Sequence, residues 1–222
     1  MRYFNIHRHS PAKDLDETAI INIFPGQEIP EKHLYSVGLH PWFAFENALA
    51  RDLKLVEEKG VNAAAIGECG IDRSCDLSFD LQLKAFRAQI GIAASLVKPL
   101  IIHCVRAYPE LIAEKKKYGG KLPWIVHGFR GYPEMASQLI DHGLYLSFGE
   151  VLTRDDKLGQ LFVSVPDERY FLETDESNMS IREIYVRAAS LRNTDVETII
   201  QQQRKNAEAV FGDSAKIQSS RQ

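Results

Sequence analysis

Six isolated histidine, glutamate and aspartate residues lie at the ends of apolar segments of the sequence. They are His7, His9, Glu68, His103, His127 and Asp175. Imidazoles and carboxylates without thiolates form a ligand set suited to Zn²⁺ or Mn²⁺ or, with more water, to Mg²⁺. Each residue alone has an ordinary structural explanation, such as helix capping by a carboxylate. Because the same residue types recur at the ends of so many β-compatible segments, the sequence predicts a metal centre.

The first two candidates, His7 and His9, are separated by a single residue near the start of the chain. Successive side chains of an extended strand alternate between its two faces, so residues two apart project to the same side. His7 and His9 can therefore share one ion, while Arg8 faces the opposite side. Alone, such a pair is more often two hydrogen-bonded or surface histidines, and the later candidates are what favour a metal site.

The number of candidates exceeds the four ligands of one tetrahedral site. A carboxylate such as Glu68 can bridge two ions, with three or four ligands on each side of it. Ions held about 3.5–4 Å apart in this way activate water and stabilise the leaving oxygen of a displacement reaction. We therefore expect two divalent cations, Zn²⁺, Mg²⁺ or Mn²⁺, as cofactors.

Apolar β-compatible segments alternate with helical patterns along the chain. Strands are predicted over residues 2–6, 19–24, 35–39, 63–66, 99–102, 124–126, 144–148 and 170–172, and helices near 45–59, 77–97, 109–117, 132–141 and 155–162. Two closing helices begin with the capping-box patterns Ser180-x-x-Glu183 and Thr194-x-x-Glu197. This alternation indicates a parallel sheet, either closed as a barrel or open and doubly wound.

The positions of the candidate ligands distinguish these two architectures. The candidates follow strands one, four, five, six and eight, and only a closed sheet brings the ends of so many strands around one centre. About a dozen residues separate the first two strands, too few for a full crossover helix. The predicted fold is a compact α/β TIM-like (β/α)₈ barrel with shortened early connections. It is expected to form one domain over residues 1–212, followed by a polar tail over residues 213–222.

The composition limits the partners and the compartment. Lys and Arg number 27 against 30 Asp and Glu, a net charge of −3, so a polyanion must be held locally by arginine or metal and not by a global positive field. Three cysteines without a C-x-x-C pair argue against a disulfide framework. The sequence shows no secretory signal and no apolar run of about 18 residues, which predicts a cytoplasmic protein without a membrane segment. No obligate protein partner is inferred.

Successive motifs of the chain resemble those of the TatD family of metal-dependent hydrolases. They are Asn5-x-His7-x-His9, Gly67-Glu68-Cys69-Gly70-Ile71-Asp72, Pro99-x-x-x-His103, His127-Gly128-Phe129-x-Gly131, Glu173-Thr174-Asp175 and Asn206-Ala207-x-x-x-Phe211, and they span nearly the whole chain. The resemblance implies a TIM-like barrel with a two-metal centre. It also implies deoxyribonuclease or wider phosphodiesterase activity, with nucleic acid or a small phosphodiester as the substrate.

The resemblance assigns roles to individual residues. Carried over by position, the ligands of one ion are His7, His9, Glu68 and Asp175, and the ligands of the other are Glu68, His103 and His127. Asp175 is the expected acceptor of the proton from the attacking water, and Glu68 is the second catalytic carboxylate. The family's first motif usually begins with Asp, and the Asn5 found here removes a negative charge, which would weaken metal affinity.

Three side chains are predicted to bind the substrate. Arg106 and Arg130 each follow a candidate ligand by three residues, and guanidinium is well matched to phosphate, although pairing with surface acids explains either one equally well. The family tends to have Ser at the position of Arg130 and a differently placed arginine after the fifth strand. His40 resembles the family's Gly-x-His-Pro element and is expected to hydrogen-bond the substrate or a carboxylate near the metal. Trp42 and Phe43 are expected to pack over the barrel mouth in preference to stacking on a base.

The favoured function is a metal-dependent phosphodiesterase of deoxyribonuclease type, in which activated water attacks phosphorus in line. The same centre is also suited to an amide, lactone or cyclic-amide hydrolase, because the fold alone does not separate attack on phosphorus from attack on carbonyl carbon. A third alternative, motivated by Asn5 and Arg106, is a non-catalytic relative that binds metal or a partner. Metal content and phosphodiester hydrolysis distinguish the three.

Overall fold

The strands follow one another in sequence order around a barrel. A computed structural model describes residues 3–12, 14–120 and 122–212 of the chain. Eight parallel strands pair from first to last: β1 Tyr3–Arg8, β2 Glu17–Ile23, β3 Leu34–Val37, β4 Ala65–Asp72, β5 Leu100–Val105, β6 Trp124–Val126, β7 Tyr145–Phe148 and β8 Tyr170–Leu172. The predicted α/β barrel is confirmed. Arg2 of the first predicted strand and the tail over 213–222 lie outside the described residues.

Helices cover the outside of the barrel from the third strand onward. They are α1 Leu49–Gly60, α2 Phe79–Leu96, α3 Tyr108–Tyr118, α4 Pro133–Asp141, α5 Asp156–Ser164, α6 Ile181–Leu191 and α7 Val196–Phe211, with short 3₁₀ turns at Pro41–Phe43, Glu150–Thr153 and Asp167–Arg169. In the described parts of the chain that join β1 to β2 and β2 to β3 there is no helix. The shortened early connections are therefore confirmed.

Two apolar layers hold the barrel together. The interior layer joins side chains of the strands to α7: Phe4, Ile6, Ile20, Ile101, Ile125, Phe171, Ala207, Val210 and Phe211. The larger outer layer lies between the sheet and the surrounding helices, where for example Phe86 of α2 meets Trp124 of β6 edge to face, with ring centroids 5.8 Å apart. Full burial of one such side chain stabilises the fold by about 1.5–3 kcal/mol.

Strand alternation places polar side chains directly above the interior apolar layer. Ile101 belongs to that layer, and His103 follows two residues later on the same face of β5. In the same way, His127 follows Ile125 of β6, which also belongs to the interior layer, by two residues. The pairing registers of β1 and β4 shift within these strands, near His7 and Glu68. A local departure from strict alternation therefore accompanies two of the candidate ligands.

The seam between the first and last strands is narrow. One parallel bridge joins Arg8 to Asp175, and the backbone N–H of Asp175 donates to the carbonyl of His7 over 3.0 Å. The hydroxyl of Tyr185 on α6 accepts from the N–H of Phe4 at 3.1 Å and donates to its carbonyl at 2.7 Å. This side chain therefore satisfies both backbone polar groups of Phe4 in β1.

Several boundaries differ from those predicted. β4 continues through Glu68 to Asp72, and β5 continues beyond His103 to Val105, so these two candidate ligands lie within strands and not after them. The capping box of Ser180 and Glu183 is confirmed. The predicted cap at Thr194 is wrong, because Asp195 occupies the cap and accepts from the N–H of Thr198. Among the described residues, no helix combines the length and apolar character needed to cross a bilayer.

Candidate metal centre

The six predicted ligands meet at the carboxyl ends of the strands, around the buried carboxylate of Glu68. This side chain is 4% exposed, and its two oxygens face two different groups of imidazoles. Oε2 lies 3.5 Å from Nε2 of His7 and 3.5 Å from Nε2 of His9. Oε1 lies 2.7 Å from Nε2 of His127 and 3.1 Å from Nδ1 of His103. Glu68 is therefore positioned between two clusters, as a bridging ligand would be.

Asp175 completes the first cluster. Its Oδ1 lies 3.5 Å from Nε2 of His7 and 3.3 Å from Nε2 of His9. The residue adopts a left-handed backbone conformation with φ of 53° and forms the bridge to Arg8. Its side chain remains 38% exposed. Asp175 therefore contacts the imidazoles and is also accessible to water or substrate.

His40 lies in the second cluster, closer to the candidate ligands than its predicted role requires. Its Nε2 is 3.2 Å from Oε1 of Glu68, while its Nδ1 accepts the backbone N–H of Trp42 at 3.2 Å. The ring is 93% buried and its centroid is 4.5 Å from that of His103. The structure thus brings His40 to a carboxylate of the centre, which is one of the two contacts predicted for it.

Two further carboxylates support the second cluster from outside. Oδ2 of Asp72 lies 3.0 Å from Nε2 of His103, and Oε1 of Glu173 lies 3.5 Å from Nδ1 of His127. Carboxylates placed behind imidazoles in this way fix the orientation of the ring. Glu173 is not among the predicted site residues. Its signal in the sequence is an acidic residue two positions after the interior Phe171, which puts it on the same face of the chain.

The crowding of imidazoles and carboxylates shifts their proton affinities. Burial alone would raise the pKa of Glu68, but the charge of His127 and hydrogen bonds with His103 hold it well below its usual value. Burial likewise opposes ionisation of Asp175, and contacts with His7 and His9 lower its pKa. Both carboxylates are therefore ionised at neutral pH.

The pKa of each histidine depends on its contacts with carboxylates. Burial lowers the pKa of His9, but Asp175 and Glu68 more than offset this effect and raise it to about 9. Burial also opposes protonation of His127, while the charge of Glu68 raises its pKa well above the usual value. For His40 burial dominates, and its pKa is lowered. The centre thus holds acidic and basic groups whose charges depend on each other.

The donor set fits divalent cations. Three groups of residues each have donor atoms within 4.8 Å of one another. They are His7 with His127 and Asp175, His7 with His9 and Glu68, and His40 with Glu68 and His103. Within the described residues, neither ring nitrogen of the fully buried His7 makes a hydrogen bond of good geometry. A buried polar group without a partner is costly, and coordination of an ion by the ring would remove that cost.

Asn5 connects the first, second and last strands beneath the centre. Its amide donates to Oε1 of Glu17 at 2.7 Å and to the hydroxyl of Thr174 at 2.8 Å. Its carbonyl oxygen accepts the N–H of Thr174 at 3.2 Å. Nη1 of Arg8 also donates to Oε1 of Glu17 at 2.7 Å. The residue that departs from the family's motif is therefore matched to a neighbouring carboxylate.

The two predicted substrate arginines occupy different surroundings. Arg130 lines a cavity of about 330 Å³ that Asp175 and Glu173 also line. Arg106 directly follows β5 with φ of 52°, and it does not line that cavity. Both side chains are exposed, and neither forms an ion pair in the part of the chain that the structure describes. The geometry favours Arg130 over Arg106 as an anion contact.

An eight-stranded parallel barrel with histidines and carboxylates gathered at the carboxyl ends of its strands defines the class of metal-dependent hydrolase barrels. Within this class, the chain belongs to the TatD family. The family model described as TatD related DNase matches residues 21–212. The matched range begins within β2, so the opening strand with His7 and His9 lies outside it.

Curated relatives are identical to the chain at about a third of the aligned positions. The protein named 3'-5' ssDNA/RNA exonuclease TatD from Citrobacter koseri is 32% identical over 164 residues, which cover 71% of this chain and 63% of the relative. Its counterpart from Edwardsiella piscicida is 31% identical over 176 residues, which cover 75% of this chain and 66% of the relative. The chain thus spans just under two thirds of the length of these relatives.

Solved structures confirm the fold. A TatD homologue from Escherichia coli superposes with a TM-score of 0.79 over 95% of this chain and 98% of its own, at 19% identity. A TatD family hydrolase from Entamoeba histolytica gives 0.78 with the same coverage, at 16% identity. A dihydroorotase from Campylobacter jejuni gives 0.57 over 95% of this chain and 83% of its own, at 12% identity. The barrel architecture is therefore shared beyond the TatD family.

Proposed function

We propose that the chain hydrolyses phosphodiester bonds of single-stranded nucleic acid, using two divalent cations held on either side of Glu68. The observation that carries the proposal is the division of Glu68, whose Oε2 faces His7 and His9 while its Oε1 faces His103 and His127. Family membership and the exonuclease names of the relatives from Citrobacter koseri and Edwardsiella piscicida support this substrate class.

The ligand chemistry supports Zn²⁺ or Mn²⁺ first and Mg²⁺ second, because imidazole nitrogen outnumbers carboxylate oxygen in the clusters. By the family resemblance, one cation would be held by His7, His9, Glu68 and Asp175, and the other by Glu68, His103 and His127, whose side chains are in mutual contact. When bound, such ions supply positive charge that polarises a phosphoryl oxygen and lowers the pKa of water. His40 adds a further nitrogen beside Glu68 in the second cluster.

Asp175 is suited to accept the proton of the attacking water. It is ionised at neutral pH because contacts with His7 and His9 outweigh the effect of burial and lower its pKa. Its side chain is also 38% exposed, so water can reach it. The water oxygen forms a bond to phosphorus while the bond from phosphorus to the ester oxygen breaks. One proton moves from water to the carboxylate, and the released ester oxygen takes up a proton from solvent and leaves as a hydroxyl group.

Arg130 is suited to bind the phosphate in the cavity beside Asp175. A guanidinium group presents paired N–H donors that match two phosphate oxygens. The overall charge of −3 does not attract a polyanion, so a local cation beside the centre would have a large effect on substrate binding. Arg106 and His40 are retained as further substrate contacts in the proposal, since each lies at the same end of the barrel.

The test is the hydrolysis of a 5′-labelled and a 3′-labelled single-stranded oligodeoxynucleotide with Mn²⁺, Zn²⁺ or Mg²⁺. We expect cation-dependent cleavage that is abolished by EDTA and lost in His103→Ala. Lys205→Ala, a change of an exposed residue on the outer helix α7, is the control and should keep full activity. Cation-dependent hydrolysis of amide or lactone substrates without cleavage of DNA would overturn the proposed substrate class.

A further inference from the structure

Aromatic side chains gather beside the candidate centre on the side of the early loops. Three residues after β3, the 3₁₀ turn Pro41–Phe43 presents Trp42 and Phe43 with 51% and 45% of their surfaces exposed. Large aromatic side chains are usually mostly buried, and half-exposed ones at the mouth of a site offer a flat apolar surface. These two side chains are therefore more exposed than packing over the barrel mouth requires.

Trp42 is held in a fixed orientation by the centre itself. Its indole N–H donates to Oδ2 of Asp72 over 2.7 Å, and the same oxygen lies 3.0 Å from Nε2 of His103. The indole ring stands edge to face with His40, with centroids 5.0 Å apart. The polar atom of the ring is thus satisfied inside the protein, and its exposed half is available for another contact.

Phe43 extends this surface around the centre. Its ring packs edge to face on Phe24, with centroids 5.3 Å apart, and Phe24 in turn lies 5.9 Å from the ring of His9. The three side chains Phe24, Trp42 and Phe43, named the aromatic platform below, therefore form an arc from His9 of the first cluster to the His103 side of the second. The platform is built by the short loops after β2 and β3.

The opposite side of the barrel mouth carries charged side chains. The cavity lined by Arg130 and Asp175 is formed by the segments that follow β6, β7 and β8. In an eight-stranded barrel in sequence order, β6 and β7 lie across from β2 and β3. The candidate centre is therefore located between a cavity that presents a guanidinium group and a platform that presents aromatic faces.

A nucleotide combines the two ligand types that these surfaces fit, an anionic phosphate and a flat base. Stacking of a base on an aromatic side chain contributes about 1–3 kcal/mol and tolerates any sequence, because every base has a π-face. We propose that the aromatic platform stacks a nucleobase of the strand whose phosphate lies at the centre, with Phe43 and Trp42 as the main contacts. This inference rests on the proposed function, and it assigns a binding role to side chains that the sequence assigns to packing.

If the platform stacks a base, hydrolysis should depend on the bases of the substrate as well as on its phosphates. We would compare single-stranded oligonucleotides of equal length whose three residues at either end carry thymine or are abasic tetrahydrofuran units. Wild type should show a kcat/KM about tenfold higher for the thymine substrate, mainly through KM, since tenfold corresponds to about 1.4 kcal/mol. Phe43→Leu, which retains an apolar side chain of similar size, should reduce this preference several-fold.

Tyr118→Leu is the matched control, because Tyr118 is 41% exposed and lies at the end of α3, at the opposite end of the barrel from the centre. It should retain the wild-type preference. If Phe43→Leu and Trp42→Leu lower activity equally on thymine and abasic substrates, both side chains only support the structure and the platform is refuted. A wild type without preference for the thymine substrate refutes it as well.

A binding measurement separates the platform from the catalytic proposal. The sequence contains 2 tryptophans, and the second, Trp124, is 1% exposed, so quenching of tryptophan fluorescence by a bound strand reports on Trp42. The thymine oligonucleotide should quench the fluorescence, the abasic one should not, and Trp42→Leu should remove the signal. Quenching without any cleavage would support the platform and refute the hydrolytic function. Cleavage without base-dependent quenching would support the hydrolytic function and refute the platform.

Discussion

At the scale of residues, the centre depends on matching each charge with a partner. Glu68 is ionised because imidazoles surround it, and Asp175 is ionised because His7 and His9 contact it. Asn5 follows the same rule. The family's usual aspartate at this position would place a second carboxylate against Glu17, which lies 2.7 Å from the Asn5 amide. The departure in the first motif is therefore explained by a neighbour 12 positions later in the sequence.

The hydrogen bond between Asn5 and Glu17 predicts that a substitution at Glu17 reverses the effect of a substitution at Asn5. Asn5→Asp should destabilise the fold by about 1–3 kcal/mol, since it replaces a hydrogen bond with two adjacent carboxylates. Asn5→Asp combined with Glu17→Gln should recover most of this loss of stability. Urea denaturation of both single variants and the double variant would check it. Additive losses in the double variant would contradict the match.

The raised pKa of His9 predicts how metal affinity depends on pH. With a pKa of about 9, the imidazole is mostly protonated at pH 7, and it must lose that proton to bind a cation. Metal uptake at pH 7 should therefore release protons, and affinity should rise by up to about tenfold per pH unit toward pH 9 for each proton released. Calorimetry in buffers of different ionisation enthalpy measures this release. Uptake without proton release at pH 7 would rule out the raised pKa.

The raised pKa of His9 also makes the stability of the metal-free protein depend on pH. Because the folded pKa of His9 lies above the unfolded value of 6.5, its contribution is fully present below pH 6.5 and is lost as pH rises through about 9. Unfolding midpoints of the metal-free wild type should therefore fall between pH 7 and 9 more than those of His9→Gln. Parallel curves for the two proteins would show that His9 contributes nothing to this dependence.

At the scale of elements, strand alternation explains most ligand positions, and close strand contacts explain the rest. Ile101 and His103 share a face, and this relation was readable from the sequence. The shifts of register within β1 and β4 were not, because they depend on pairing with neighbouring strands. The side chain of Glu173 and the closeness of His40 to Glu68 could not be predicted either, since both are contacts between elements far apart in the sequence.

The close approach of β4 and β5 predicts a strict requirement for glycine at position 70. A Cβ at Gly70 would lie 2.0 Å from the carbonyl oxygen of His103, and φ of 145° is unfavourable for other residues. Gly70→Ala should destabilise the protein by about 2 kcal/mol or more. Gly91→Ala, within α2 and with no atom within 4 Å of the added carbon, should instead stabilise it by about 0.5–1 kcal/mol. Equal effects of the two changes in chemical denaturation would contradict the packing described.

At the scale of the whole molecule, the barrel gathers residues from both ends of the chain into one site. The order of elements, their approximate bounds and the closed sheet could be predicted, because periodicity and ligand positions are local features of the sequence. The seam was not predictable: a single bridge between Arg8 and Asp175 and the hydroxyl of Tyr185 complete it. Closure at this seam brings Asp175 to His7 and so assembles the first cluster.

The most direct test of the two-cluster centre is the number of ions bound per chain. Wild type, His7→Ala and His103→Ala would be equilibrated with Mn²⁺ or Zn²⁺ and their metal content measured after dialysis, with circular dichroism to confirm folding. The division of Glu68 between two groups of imidazoles predicts two ions in the wild type and one in each folded variant. Two ions in His7→Ala, or a single ion in the wild type, would contradict it.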